Sequence, residues 1–223
     1  MAEPVDRRTR KRLRTRLAIQ DAAFELFAER GYRETTIKAI AVRADVAPRT
    51  VTVHFATKEE LLFDAEPFRP ESLAAALDAR GPKQSALDAL RNWMASTMHE
   101  LESQDGELSG RFWERRAQRA HIINAEPGLR GRARAGYHEF ELLLADAVGA
   151  DLSQAGTALV PRLAALTAVA GLRDLYETDE LRALASPPTA ADLLALVDRV
   201  IAFTRAGITA SAAGHKSSVE RPA

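Results

Sequence analysis

Apolar residues recur at helical spacing along most of the chain, and the first such pattern ends near residue 30. Its members lie three or four residues apart and would form one stripe along a helix: Ile19, Ala22, Ala23, Leu26 and Phe27. Gly31 follows this stripe, and glycine favours the left-handed backbone that ends many helices. The pattern predicts a first helix over residues 15–30.

Two shorter apolar patterns follow within residues 35–55. The first has apolar residues at i, i+3, i+4 and i+7, namely Ile37, Ile40, Ala41 and Ala44. Thr35 or Thr36 can cap this helix through its hydroxyl. Asp45 and Val46 interrupt the pattern, which predicts a tight turn with Val46 tucked beneath it.

A second short helix is predicted from residue 48. Pro48 suits a first helical position, where no backbone N–H is needed, and Val51 and Phe55 lie at i and i+4 on one side. The other side carries polar residues, namely Arg49, Thr50, Thr52 and His54. Two short helices joined by a tight turn, with the second polar outward, place a recognition helix in the major groove of DNA.

The rest of the chain is also helical in pattern. Apolar spacing and breaks at Gly or Pro predict helices over residues 71–79, 83–104, 107–123, 127–149, 158–177 and 189–208. No alternation of apolar and polar residues is long enough to predict a strand. The predicted fold class is all-α, with an N-terminal three-helix helix-turn-helix DNA-binding domain and a C-terminal helical domain.

These patterns divide the chain into four segments. Residues 1–14 are predicted to form a basic disordered arm, and residues 15–66 the DNA-binding domain, with its motif at 35–55. Residues 67–208 are predicted to form the helical domain. Residues 209–223 are small and polar, which predicts a disordered tail.

The net charge is zero, but the charges are unevenly distributed. Residues 1–58 contain 13 Lys and Arg against 7 Asp and Glu, whereas the remaining residues contain 18 against 24. A basic N-terminal part directs phosphate binding to one end of the molecule. Seven of these cations fall within residues 1–16. We expect them to contact phosphates or the minor groove, and a solvated tail is the alternative.

Three blocks of this N-terminal part, in their order and spacing, resemble the TetR family of bacterial transcriptional regulators. They are AAFELFAERGY, TTIKAIAVRADVAPRTVTVHF and TKEELL, within about residues 14–62. The APRT start of the second short helix is most similar to a subgroup with Ser-Pro-Arg-Thr there. The chain departs from the family at three positions: Asp45 replaces the usual Gly of the turn, Ala47 the usual capping Ser, and Thr52 the usual aromatic residue.

The resemblance and the polar side of the second short helix together predict the DNA contacts. Lys58 joins them because Thr57 and Glu60 form a capping box, and a helix start with a nearby cation can hold a phosphate. The predicted DNA-binding residues are Thr35, Thr36, Lys38, Pro48, Arg49, Thr50, Thr52, Val53, His54 and Lys58.

The last two predicted helices, 158–177 and 189–208, are apolar on more than one face. A helix that is apolar all round must be buried on both sides. We therefore expect a four-helix interface with a second copy of the chain, which agrees with the pairing implied by the resemblance. Leu166 and Val197 are predicted to lie in this interface. A central position in the core of one chain is the alternative.

Large aromatic and amphipathic residues collect in the middle helices, where the resemblance implies a ligand cavity coupled to the DNA-binding domains. The predicted ligand-binding residues are Trp93, Met98, Phe112, Trp113, Arg116, Tyr137 and Phe140. The arginines in this region favour an anionic ligand such as a fatty acyl thioester or a carboxylate. Core packing and surface charge are the alternative roles of these residues.

Other classes of function find little support in the sequence. The chain has no Cys, and its five His residues lack metal-ligand spacing, so no metal, cofactor or catalytic site is predicted. No apolar run approaches the roughly 20 residues that span a bilayer, and no secretory signal is recognisable, which predicts a cytoplasmic protein.

The function that these observations predict is a ligand-responsive transcriptional regulator. It would act as a homodimeric repressor that binds a palindromic operator and is released by a small apolar or acyl ligand. Two alternatives stay open. One is a helical ligand-binding protein or enzyme with an incidental helix-turn-helix, and the other is a nonspecific architectural DNA binder.

Overall fold

The structure is a computed structural model that describes residues 7–63, 68–103, 106–175 and 189–219. Ten α-helices and no strand lie in these ranges. The helices are α1 (Arg7–Arg30), α2 (Ile37–Arg43), α3 (Pro48–His54), α4 (Glu60–Phe63), α5 (Pro70–Asp78), α6 (Ala86–Ser103), α7 (Gly106–Ala125), α8 (Pro127–Asp151), α9 (Leu159–Asp174) and α10 (Ala190–Val219). The all-α prediction is confirmed for this part of the chain.

The chain forms two compact units. The first comprises Met1–Glu66 and Arg115–Arg130, and the second comprises Pro67–Glu114 and Gly131–Ala223. The sequence division placed all of residues 67–208 in one domain, so the assignment of Arg115–Arg130 to the first unit is a correction. Distant segments of a chain pack together without any local sequence signal, because only their tertiary contacts join them.

The core of the first unit consists of the apolar stripes that the sequence predicts. Ile19, Ile40, Val51 and Phe55 are fully buried, and Phe27 packs edge-on against Phe24. The helix ends also follow the sequence. Gly31 has φ of 82°, and the Thr36 hydroxyl accepts a hydrogen bond from Ala39 N at 3.1 Å, which caps α2.

The second unit is built around α6, α8, α9 and α10. Its core contains apolar side chains of different sizes in close contact, among them Leu90, Met98, Leu144, Ala168 and Val197. The closest approach of α9 and α10 depends on Gly171, because a Cβ there would lie 2.8 Å from Cγ1 of Val200. Ion pairs join α6 to α10 at the surface: Arg91 donates to Asp198 at 2.8 and 3.2 Å, and Arg205 donates to Asp88 at 2.8 Å.

Capping residues set the start of two long helices of the second unit. Ser85 Oγ accepts from Asp88 N at 3.2 Å and the Asp88 carboxylate accepts from Ser85 N at 3.2 Å, so α6 begins at Ala86 rather than at residue 83. The same reciprocal pair forms between Thr189 and Asp192 before α10. Thr189 and Asp192 thus cap the start of α10.

Both predicted disordered ends are partly helical. α1 begins at Arg7, so the predicted arm over residues 1–14 is wrong for residues 7–14. α10 continues to Val219, so the predicted tail over residues 209–223 is wrong for residues 209–219. Arginine, lysine and alanine are strong helix formers, and each extension continues a helix that has already nucleated. Residues 1–6 and 220–223 lie outside the described residues.

Within the described ranges, no helix combines the length and the apolar character needed to cross a membrane.

Candidate functional site

The short helix α3 has one buried side and one exposed side. Pro48 occupies its first turn, and Ala47 at the N-cap makes no side-chain hydrogen bond, as the replacement of the usual Ser predicts. Val51 and Phe55 are fully buried on the inner side. The helix therefore depends on apolar anchoring rather than on a side-chain cap, which contributes about 1 kcal/mol where it is present.

The outer side of α3 presents a mixed surface. Pro48, Arg49, Thr52 and Val53 are exposed, and Thr50 is half-buried. Thr52 Oγ1 donates to Arg49 O at 3.1 Å. Val53 is 66% exposed. This surface combines a planar guanidinium, which can pair with guanine, and methyl groups, which can contact thymine.

The turn between α2 and α3 has the backbone that the sequence predicts. Asp45 has φ of 52°, in the left-handed region that Asp tolerates better than most residues. Val46 N donates to Ala41 O at 3.0 Å and closes the turn. Asp45 thus adopts in this turn a left-handed conformation, which Gly also adopts readily.

Thr35 and Thr36, which were both predicted to contact DNA, lie in different environments just before α2. Thr36 and Lys38 are exposed and remain candidates for DNA contact. Thr35 is 1% exposed, and its hydroxyl donates to Gly31 O at 2.8 Å. The DNA-contact prediction for Thr35 is therefore wrong, because its side chain lies inside the unit and ties the start of α2 to the end of α1.

Lys58 also has a structural role in place of the predicted phosphate contact. Its Nζ donates to Tyr32 O at 2.7 Å and Thr35 O at 3.0 Å, and it lies 3.4 Å from Arg33 O. The ammonium also lies 4.1 Å from the centroid of the Tyr32 ring. The capping box beside it is present, with Glu60 N donating to Thr57 Oγ1 at 3.3 Å. The Glu60 carboxylate accepts from Ala56 N, one residue earlier than in the usual box.

His54, at the end of α3, lies against the basic part of α1. Arg16 donates to His54 O at 2.7 Å and stacks 4.1 Å above the Phe55 ring. Burial lowers the pKa of His54, and the charges of Arg12 and Arg16 lower it further. The sequence assigned Arg16 to a DNA-contacting arm, whereas the structure shows it capping the recognition helix.

Arg43 is a further cation whose role the sequence did not predict. It donates to Glu25 at 2.9 Å and to both carboxylate oxygens of Glu29 at 2.9 and 2.8 Å. These hydrogen bonds raise the pKa of Arg43 and lower that of Glu29. Arg43 therefore ties α2 to α1 across the surface of the first unit.

The predicted ligand-binding residues are only partly brought together. Trp93 packs against Phe140, with ring centroids 6.1 Å apart, and donates from Nε1 to Ser72 Oγ at 3.1 Å. Tyr137 is half-buried, and Met98 is a buried member of the core. These four residues belong to the second unit, whereas Arg116 belongs to the first. The side chains of Phe112 and Trp113 lie outside the described residues.

Glu141 is a buried acid of the second unit that the sequence analysis missed. It is 5% exposed and lies on α8, one turn after Tyr137. The signal that identifies this one is its place on an apolar stripe, three residues before Leu144 and seven before Val148, both of which are buried.

The last two helices each have a buried face and an exposed apolar face. Val197 is 1% exposed inside the core, so its predicted interface position is wrong, and Leu166 is half-buried. The exposed apolar side chains are Leu159 at 72%, Leu163 at 50% and Phe203 at 73%. On α10 the exposed side around Phe203 is lined by small residues, namely Ala195, Ala202, Ala206 and Ala210.

Comparison with known proteins identifies relatives for both units. The profile of the family described as bacterial regulatory proteins, tetR family, matches residues 19–65, and that of the MftR C-terminal domain matches residues 84–209. The HTH-type transcriptional regulator TcmR of Streptomyces glaucescens is 34% identical over 122 residues, which are 55% of this chain and 53% of TcmR. The chain thus spans about half the length of that curated relative.

Solved structures with the same fold cover most of the chain. NalD of Pseudomonas aeruginosa, described as the secondary repressor of the MexAB-OprM multidrug efflux pump, is 26% identical, with a TM-score of 0.53, over 84% of this chain and 96% of NalD. FadR of Bacillus subtilis, solved with stearoyl-CoA, is 20% identical, with a TM-score of 0.54, over 86% and 98%. Its likeness concerns the fold alone. Since the two profiles cover both units, the chain belongs to the TetR family of bacterial regulatory proteins.

Proposed function

We propose that the protein is a homodimeric transcriptional repressor that binds a palindromic operator in the cytoplasm and is released by a small, largely apolar effector. The observation that carries this proposal is the outer surface of α3. Arg49, Thr52 and Val53 are exposed on a helix held by the fully buried Val51 and Phe55. A rigid helix with exposed hydrogen-bonding and methyl groups is suited to reading bases in the major groove.

The proposed DNA-contact set follows from exposure. Thr36 and Lys38 on α2 would contact the phosphate backbone, and Pro48, Arg49, Thr50, Thr52, Val53 and His54 on α3 would face the groove. Thr35 and Lys58 are left out because their polar atoms are bound within the unit. TcmR, named as an HTH-type transcriptional regulator, and NalD, named as a repressor, support this assignment.

The proposed dimer forms through α9 and α10. Leu159, Leu163 and Phe203 together expose large apolar surfaces to solvent, and a second copy would cover them through a two-fold interface. A two-fold dimer presents its two α3 helices to successive major grooves when they lie about 34–36 Å apart. The operator is therefore expected to be palindromic.

The effector would act by preferring a dimer with a different spacing of the two α3 helices. Trp93, Met98, Tyr137 and Phe140 are the proposed contacts in the second unit. A coupling of about 1–3 kcal/mol would weaken operator binding by roughly 5–150-fold. By linkage, operator DNA must weaken effector binding by the same factor.

The test is selection of double-stranded DNA by the purified protein, followed by affinity measurement on the selected sequence. We expect a palindromic consensus and a dimer bound at one site, with affinity that falls steeply as salt rises. Arg49→Ala should lose the preference at one position of each half-site, while Arg69→Ala, an exposed arginine of the second unit, serves as the charge-matched control. Equal binding to all sequences would overturn the proposal in favour of an architectural DNA binder.

A further inference from the structure

Glu141 places a carboxylate beside the apolar core of the second unit. The side chain shares one face of α8 with Leu144 and Val148, which are 0% and 2% exposed. Removal of a charged carboxylate from water costs several kcal/mol unless it is paired and hydrogen-bonded. The position therefore needs a compensating partner.

The described residues satisfy only one of its two oxygens. Oε2 lies 3.2 Å from His138 Nδ1. Oε1 is buried and accepts no hydrogen bond from the described residues. Nη2 of Arg134 lies 3.7 Å from Oε1, and the Arg134 side chain is 58% exposed. This distance is too long for a hydrogen bond, so Oε1 is free to accept one from another molecule.

A further cation, Arg173, and several aromatic rings lie around Glu141, and Arg173 donates to the carboxylate of Asp174 at 2.7 and 3.2 Å. Tyr137 lies one turn before Glu141, and the guanidinium of Arg173 lies 5.8 Å from the Tyr137 ring centroid. The pKa of Arg173 is raised mainly by its hydrogen bond to Asp174, and the charge of Glu141 contributes in the same direction. The rings of Phe140 on α8 and Trp93 on α6 contact each other at a tilt of 41°, with centroids 6.1 Å apart, and aromatic faces attract cations.

We propose that Glu141 is the polar anchor of the effector site and that the effector is an apolar amine, protonated at neutral pH. Its ammonium would donate to Oε1 of Glu141, while its hydrocarbon part would contact Trp93 and Phe140. The inference rests on the proposed function, because it takes the second unit to be the one that holds the effector. The inference narrows the class of effector from an apolar or acyl compound to an apolar amine, because the buried Glu141 would repel a carboxylate.

The probes are decylamine, decanol and decanoate, titrated calorimetrically into the full-length protein at neutral pH and below their micellar concentrations. They share one hydrocarbon chain and differ in charge. Decylamine should bind about tenfold more tightly than decanol, which corresponds to about 1.4 kcal/mol and to one charge-assisted hydrogen bond. Decanoate should bind most weakly. This comparison needs no variant and does not depend on the folding of one.

The variant test uses two glutamates on the same helix. Glu141→Gln keeps the shape and removes the charge, so it should lose about tenfold in decylamine affinity and little in decanol affinity. Glu139→Gln makes the same chemical change at an exposed position and should leave both affinities unaltered. Circular dichroism melting of both variants confirms that each is folded.

Equal binding of the three probes by the wild type, or an unchanged decylamine affinity in Glu141→Gln, would overturn the inference. Operator binding by the same preparation separates it from the proposed function. A protein that binds operator but shows no amine preference refutes this inference alone. An amine preference that depends on Glu141, in a protein that binds no operator, refutes the proposed function alone.

Discussion

Two exposed surfaces of this protein, one on each unit, differ sharply in chemistry. On the first unit, the outer side of α3 exposes Arg49 and Thr52 together with a single branched apolar residue, Val53. On the second unit, α9 and α10 expose Leu159 and Phe203 at more than 70% each. Each surface is one side of a helix whose other side is buried in the core of its unit.

The difference in chemistry indicates different partners. A polar helix side is stable in water by itself, so its pattern of hydrogen-bonding groups is what distinguishes a DNA-reading surface. An exposed apolar side gains about 25 cal/mol for each Å² that a partner covers. A second copy of the chain can supply such a cover, to an extent that rises with protein concentration. The comparison therefore predicts that substitutions on the two surfaces have separable effects.

The largest expected effect comes from a pair of substitutions on α10. Val197→Glu places a charge in the core of the second unit and should destabilise it by more than about 4 kcal/mol, which is enough to prevent folding. Phe203→Glu, six residues later on the exposed side, should leave the helical content intact and yield monomers. Circular dichroism and analytical ultracentrifugation of the two variants measure these outcomes.

A matched control for Phe203→Glu is Ser211→Glu on the same helix, which adds the same charge at another exposed position. It should remain dimeric. A Phe203→Glu protein that sediments as a dimer would show that the second copy binds elsewhere. A folded Val197→Glu protein would contradict the division of α10 into a core side and an exposed side.

Sequence signals predicted the first unit better than the second, for a physical reason. The turn at Asp45, the cap at Thr36 and the stop at Gly31 each depend on the conformational preference of one residue, which a sequence displays directly. In the second unit, the sequence placed Val197 on an outer side because both sides of α10 are apolar. Only tertiary packing decides which apolar side lies inward.

Two polar residues were misassigned because backbone carbonyls already bind their side chains. Thr35 and Lys58 have chemistry suited to a phosphate, and the sequence offers no sign that backbone carbonyls of residues 31–35 bind them first. Glu141 was overlooked because a carboxylate is usually solvated, although it lies on the apolar stripe of Leu144 and Val148. Local patterns identify secondary structure, whereas the availability of a polar atom is a tertiary property.

The next largest effect is expected for substitution of Lys58. It tests whether this residue has a structural role in place of a phosphate contact. Lys58→Met removes the ammonium that donates to Tyr32 O and Thr35 O, and should lower the stability of the first unit by about 1.5–3 kcal/mol. Lys38→Met, at an exposed position, should leave stability unchanged and flatten the salt dependence of DNA binding by about one unit of slope. Thermal denaturation and DNA titrations at several salt concentrations measure both quantities.

The opposite pattern for Lys58 would restore its phosphate contact. An unchanged melting temperature together with a flatter salt dependence in Lys58→Met would mean that the ammonium leaves the carbonyls and binds DNA. Because Lys38→Met is measured in the same way, the structural role and the phosphate contact can be distinguished without knowing the absolute affinity for DNA.

Arg49 tests the α3 surface itself. Arg49→Ala should weaken binding to the selected operator by about 1–3 kcal/mol and relax preference at one base pair of each half-site. It should not alter dimerisation, because the residue lies on the first unit. Competition titrations with operators that vary at a single base pair measure the effect. An unaltered preference at every position would remove Arg49 from the base-reading set.

The smallest expected effect concerns His54 and pH. Burial, followed by the charges of Arg12 and Arg16, lowers the pKa of His54 in the folded protein below its ordinary value of 6.5. A base with a lowered pKa binds fewer protons when folded, so stability is fully present above about pH 6.5 and falls as pH drops through the folded pKa. Denaturant unfolding between neutral and mildly acidic pH should show this loss, and His54→Gln should reduce it. His99→Gln, a histidine of the second unit, is the matched control. Identical pH dependence in His54→Gln and the wild type would mean that the pKa of His54 is the same in the folded and unfolded states.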